Sequence, residues 1–151
     1  MWTAPCSGCR THWTGWVGDG GTTVKTVPRR CPCGSGDTLD ACCGPILGGR
    51  PAPTAERLMR SRYTAFAQGD VAHLLRSWHP STRPAGLELD PGVRWLRLDI
   101  LARERGGPFD TDGFVEFEAI HREDGRRGVL HERSRFVRED GRWLYVDGLV
   151  R

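Results

Sequence analysis

Cys31-Pro32-Cys33-Gly34-Ser35-Gly36 and, after a short polar stretch, Cys42-Cys43-Gly44 place four thiols within thirteen residues. Nothing else in the chain restricts its fold as tightly. Buried cysteines that merely fill apolar gaps are scattered and isolated. Here two pairs flank a Gly-Ser-Gly turn that lets the backbone fold back and bring both to one point. Four thiolates at one point suit a tetrahedral metal site, with Zn²⁺ the default ion and Cys31, Cys33, Cys42 and Cys43 its ligands. Four protein ligands leave no open position, so such a zinc is structural rather than catalytic. Redox chemistry and a disulfide are the alternatives. Cys31 and Cys33 are too close to bridge easily, and a bond between adjacent Cys42 and Cys43 would be strained. Met1-Trp2-Thr3-Ala4-Pro5 leads into polar residues with no apolar stretch of a signal peptide, so a cytoplasmic, reducing setting is expected. Clustered cysteines there are more often metal ligands or redox groups than bridges.

The rest of the chain divides by texture. Residues 1–28 hold several glycines and threonines without periodicity and read as a disordered extension. It could equally mark an over-extended gene start, which the intact mass of the native protein would settle. Cys6, Cys9 and His12 in it could form half of a second metal site, but no fourth ligand follows at a sensible spacing. Residues 29–48 form the metal knuckle, and 49–151 a second domain entered through a stiff Pro- and Gly-rich linker. There Thr54 is a helix N-cap with Leu58, Met59, Tyr63 and Phe66 at helical spacing. Gly69 ends that helix. Asp70 caps another, whose Val71, Leu74, Leu75 and Trp78 carry it to His79-Pro80. Beyond Pro91 the period falls to two: Leu96, Leu98, Ile100 and Ala102 alternate with Arg97, Asp99, Leu101 and Arg103 in a first strand, followed by strands near 114–120, 129–137 and 143–150. Asp124-Gly125 and Asp140-Gly141 separate the last three, a strong hairpin signal. The expectation is an α+β domain, two helices on an antiparallel meander of about four strands.

Two sets of motifs carry a family resemblance. Cys31 through Gly44 resembles the SEC-C motif, the zinc knuckle at the tail of the preprotein translocase ATPase. The runs Pro53 to Tyr63, Trp78-His-Pro-Ser-Thr-Arg83 and His131-Glu-Arg-Ser-Arg-Phe136 are similar to the YchJ family, in which a SEC-C knuckle precedes a domain like nuclear transport factor 2 (NTF2). The resemblance implies a cone-shaped α+β fold of two or three helices on a curved sheet, and no particular activity. The chain departs from the motif where a lysine usually follows Gly-Ser-Gly and an aromatic residue stands two places later, for it has Asp37 and Leu39, with Asp40 a further acid. Four thiolates around Zn²⁺ carry a net charge of −2, and Arg29, Arg30 and Arg50 are the candidates to offset it from the flanks. Some relatives carry a second knuckle, whereas no cysteine follows Cys43 here.

Cone folds often enclose a pocket between sheet and helices, although fold alone is poor evidence of activity. Alternation along 130–136 puts Leu130, Glu132, Ser134 and Phe136 on the face that should turn inward. A carboxylate there needs a partner. Glu132 is therefore either half of a buried ion pair, with Arg62 as the favoured cation, or a general base. Arg62, Tyr63, Trp78, His79, Glu132 and Ser134 make up the expected pocket. Glu132 and His79 are the catalytic candidates, although His79 also suits capping of the last helical carbonyls. Trp78, Trp95 and Trp143 read as core and pocket walls. The net charge of +3 is too small to imply a polyanion, and Lys25 is the only lysine, so the arginine excess reflects a compositional bias. The favoured reading is a zinc-binding module that holds a protein partner or small ligand. An enzyme based on Glu132, and a nucleic-acid or ribosome binder, are its rivals. A homodimer through the sheet stays open.

Overall fold

A computed structural model describes residues 27–151. The expected amino-terminal extension, with Cys6, Cys9 and His12, lies outside the described residues apart from its last two positions. The knuckle runs from Arg29 into a short 3-10 turn at Leu39–Ala41 and the one-turn helix α1, Gly44–Leu47. Two longer helices follow, α2 at Ala55–Gln68 and α3 at Val71–Arg76. The remainder is a four-stranded antiparallel meander in sequence order: β1 Val93–Arg105, β2 Asp112–Glu123, β3 Arg126–Glu139 and β4 Arg142–Val150. This is the expected α+β architecture, helices on one face of an open sheet.

Local chemistry explains each boundary. The Thr54 hydroxyl accepts from the Arg57 N–H at 3.2 Å, and Gly69 closes α2 in the left-handed conformation at φ 74°. Asp70 then caps α3 by accepting from the His73 N–H at 2.9 Å. The two Asp-Gly pairs make two-residue hairpin turns with both residues at positive φ, 48° and 78° at Asp124-Gly125 and 50° and 76° at Asp140-Gly141. That backbone matches the twist of the strands it joins.

Two expectations need correction. The second helix does not reach His79-Pro80 but ends at Arg76. The Ser77 hydroxyl donates back to the His73 carbonyl at 2.7 Å, and the chain then leaves to pair with β4. The Tyr145 N–H donates to Ser77 O at 2.8 Å, and the His79 N–H to Tyr145 O at 2.7 Å. Sheet pairing outcompetes another helical turn. The first strand also breaks the simple alternation. Register shifts fall between Trp95 and Arg97 and between Ile100 and Ala102. The first turns Trp95 inward and leaves Leu96 43% exposed, whereas Leu98 stays buried.

The core is continuous across the knuckle and the sheet domain. Cys31, Cys33, Cys42, Cys43 and Ile46 pack in one apolar cluster with Leu58, Met59 and Tyr63 of α2 and with Phe117, Phe136 and Trp143 of the sheet. Helix α2 is buried over most of its circumference, because knuckle, α3 and sheet each cover part of it. Among the described residues no helix is long and apolar enough to cross a membrane.

Candidate metal centre and cavity

All four knuckle cysteines are free and buried, and their sulfurs lie within 4.8 Å of one another. Cys33 and Cys42 are 3.5 Å apart at sulfur, and Cys42 and Cys43 3.9 Å. A tetrahedron of sulfurs around Zn²⁺ at ~2.3 Å has edges of about 3.8 Å, so the spacing suits such an ion and is far from a disulfide bond length. Gly36, at φ 90°, supplies the turn that folds one pair onto the other. The thiols differ in proton affinity. A hydrogen bond from Cys43 pulls Cys33 down to about 4, the same contact pushes Cys43 up, and burial pushes Cys31 up. The soft all-sulfur donor set, four sulfurs converging on one point, fits a thiophilic cation such as Zn²⁺.

The cations that face this cluster do not come from the flanks. Arg57 of α2 donates from Nη1 to the Cys42 sulfur at 3.4 Å and from Nη2 to its carbonyl oxygen at 3.1 Å. Arg60, one turn on, donates to the Cys33 carbonyl at 2.9 Å. The Thr64 hydroxyl lies 3.7 Å from the Cys31 sulfur, and the Ser35 hydroxyl 3.1 Å from that of Cys42. Arg30, expected to help, instead bonds the Gly36 carbonyl. Positions 57, 60 and 64 trace one line along α2 by helical spacing, a polar row turned toward the knuckle.

The adjacent line of the same helix serves a different site. Met59, Arg62, Tyr63 and Phe66 wall a cavity of about 200 Å³ whose opposite side comprises Trp78, Trp95, Phe117, Ala119, Leu130, Glu132, Ser134 and Tyr145. Five of the six expected pocket residues line it. His79 does not: its Nε2 meets Glu139 at 2.9 Å and its Nδ1 meets Ser81 at 2.6 Å, so it neither caps α3 nor faces the cavity. Tyr145 and Trp95 line the wall as well. Tyr145 is hard to foresee because the β4 alternation shifts across an irregularity opposite Arg135 and Phe136.

Glu132 and Arg62 do not form the expected ion pair. Arg62 is 3% exposed and spends Nη1 on the Leu74 carbonyl at 2.8 Å and the Ser77 hydroxyl at 2.7 Å. Its guanidinium carbon stands 4.3 Å from the Tyr145 ring centroid and 5.1 Å from that of Trp78. Burial lowers its pKa to about 10, so it remains a cation at neutral pH, held by the carboxyl end of α3 and by ring faces. Glu132 is half-buried. Its Oε1 accepts from the Ser134 hydroxyl at 2.6 Å and from the Tyr145 hydroxyl at 3.3 Å. Burial pushes Tyr145 up, which keeps that phenol protonated as a donor. A side-chain methyl at Gly148 would collide with the Glu132 carboxylate, so glycine there makes its room.

Outside the cavity, the opposite face of the sheet is a lattice of matched charges. Arg133 meets Glu104 at 2.5 Å, Arg135 meets Asp147 at 2.9 Å and His131 meets Glu116 at 2.8 Å.

Comparison with known proteins agrees with this layout. Residues 54–148 match the family described as "YchJ, middle NTF2-like domain", and residues 30–45 match the SEC-C motif. A UPF0225 protein of Streptomyces coelicolor is 57% identical over 119 residues, 78% of this chain and 93% of its own length. One from Chromobacterium violaceum is 53% identical over 83% of this chain and 96% of its own. The solution structure of a SEC-C motif containing protein from Rhodopseudomonas palustris superposes with a TM-score of 0.70 at 37% identity, over 79% of this chain and 96% of that one. A crystal structure of another from Psychrobacter arcticus, at 24% identity, shares the fold with a TM-score of 0.65.

Proposed function

This chain belongs to the YchJ family, with a SEC-C motif ahead of the family's middle NTF2-like domain, and we propose on that basis that it is a zinc-stabilised binding protein. Cys31, Cys33, Cys42 and Cys43 hold one Zn²⁺ in a closed site that shapes the fold and takes no part in chemistry. The NTF2-like domain does the binding, through the cavity beneath α2. A reducing compartment such as the cytoplasm keeps the thiols available to the ion. The observation that carries this reading is the double use of α2: Arg57, Arg60 and Thr64 grip the knuckle while Met59, Arg62, Tyr63 and Phe66 wall the cavity. A structural metal that fixes α2 also fixes one wall of a ligand site.

The enzyme reading has less support, because His79 lies outside the cavity and the hydroxyls beside Glu132, those of Ser134 and Tyr145, both serve as its hydrogen-bond donors. A polyanion partner also has less support, since Arg133 and Arg135 on the outer sheet face are matched by carboxylates. The direct test is metal analysis of the purified protein. One zinc per chain is expected, lost in Cys42→Ser. Zinc retained in that variant would refute the ligand set.

A further inference from the structure

The geometry points to a small planar aromatic molecule bearing an N–H or O–H donor as the ligand of the cavity, with Glu132 as the acceptor that selects it. This rests on the reading of the NTF2-like domain as a binding domain and adds the chemical class. Size is the first constraint. An apolar cavity of roughly 150 Å³ admits benzene, and drug-sized ligands need about 300 Å³ or more. At about 200 Å³ this cavity takes one or two fused rings. Wall chemistry is the second. Tyr63, Phe66 and Trp95 form a connected aromatic group, with Trp95 centroids 6.0 Å from Tyr63 and 5.8 Å from Phe66 at steep interplanar angles. Such walls favour a flat π-system through edge and face contacts.

The third constraint is the carboxylate. Both hydrogen bonds that Glu132 receives fall on Oε1, and its Oε2 has no partner among the described residues. Among the described residues the buried cation nearby is Arg62, which spends Nη1 on Leu74 and Ser77 and lays its guanidinium against the rings of Tyr145 and Trp78. Glu132, a residue of the cavity wall, thus brings to an aromatic slot a carboxylate held through one oxygen, with acceptor capacity left on the other. A neutral N–H or O–H meets that demand with a charge-assisted bond and without the repulsion a cationic ligand would feel from Arg62. A ligand of the same shape without a donor would leave Oε2 buried and unpaired, which is where selectivity arises.

The test uses the full-length, zinc-loaded protein and two probes of nearly one shape, indole and 1-methylindole, titrated by calorimetry. Indole should bind one per chain, and 1-methylindole at least ten-fold more weakly. In Glu132→Leu the two probes should bind within about two-fold of each other. Gly148→Ala, which crowds the carboxylate from the opposite strand, should narrow the difference in the same direction and serves if the Glu132 variant folds poorly. Equal binding of both probes to the wild-type protein would overturn donor selection and leave the binding-domain reading standing. Binding of neither, with zinc content and melting temperature intact, would overturn both.

Discussion

Arg57 holds Cys42 at two points, its sulfur at 3.4 Å and its carbonyl oxygen at 3.1 Å, from a helix that begins twelve residues further along the chain than Cys43. The fork geometry of a guanidinium makes both bonds at once, which an ammonium cannot do. Arg57→Lys should therefore keep the charge and still release zinc faster to a chelator. Arg57→Gln should also cost about 1.5–3 kcal/mol of stability, the usual worth of hydrogen bonds that involve a charged group. A chelator competition assay and thermal melts check both. Wild-type release rates in Arg57→Lys would sink the idea.

His73 predicts an acid-sensitive fold. It is buried between α2 and α3, with its Nε2 2.9 Å from the Ser61 hydroxyl, which itself donates to the Leu58 carbonyl at 2.7 Å. Ser61 Oγ thus accepts from Nε2–H, which describes a neutral ring with Nδ1 buried and unpaired. Burial lowers the His73 pKa to about 4 from 6.5. The unfolded chain takes up the proton first as pH falls, so stability is full above about 6.5 and declines down to about 4. The loss is on the order of 3 kcal/mol. His73→Gln should flatten that part of the stability profile relative to wild type, measured by urea unfolding at several pH values. An identical slope in both proteins would exclude His73 as its source.

How much of this was legible in the sequence depends on the range of each interaction. The four cysteines, the Thr54 and Asp70 caps and the two Asp-Gly hairpins were readable because each is decided by neighbours a few residues away. Arg57 and Arg60 were not, since nothing local separates them from the many other arginines. They matter only because α2 folds onto the knuckle. Leu96 escapes the simple alternation for a related reason. Alternation assumes an unbroken ladder, and the irregularity beside Trp95 on this edge strand reverses the faces. His79 failed because α3 gives way to pairing with Tyr145. Glu132 lines the cavity, and its partners Ser134 and Tyr145 are set by sheet register, not by charge counting.

Gly148 and Glu132 should be energetically coupled. They lie on adjacent strands, with Gly148 opposite Ser134, and a methyl at 148 would occupy space the carboxylate now fills. Gly148→Ala alone should cost about 1–3 kcal/mol, as overpacking of a fitted site does. With Glu132→Ala in the background the same change should cost much less, since the clash has gone. A double-mutant cycle by chemical denaturation should return a coupling of at least about 0.5 kcal/mol. Additive costs would show that the carboxylate can move aside freely.

Metal removal should loosen the protein in a graded order. Structural zinc binding is folding free energy for the residues it organises, and small knuckles have little else to hold them. The sheet domain differs, because Phe117, Phe136 and Trp143 share a core with Leu58 and Met59 of α2 and so have apolar partners besides the knuckle. Helix α2 sits between the two. Its Arg57, Arg60 and Thr64 lose their anchor with the knuckle, while Glu56 still ties it to the sheet through Arg103 at 2.5 Å. Chelation should therefore lower the melting temperature without abolishing the fold. Amide exchange should speed up from Cys31 through Leu47, less so over Arg57–Thr64, and hardly at all across the β2–β3 hairpin. Since α2 also walls the cavity, indole binding should weaken in step with exchange over Arg57–Thr64. Unaltered exchange in that half of α2 after complete zinc loss would mean the helix does not link the two sites.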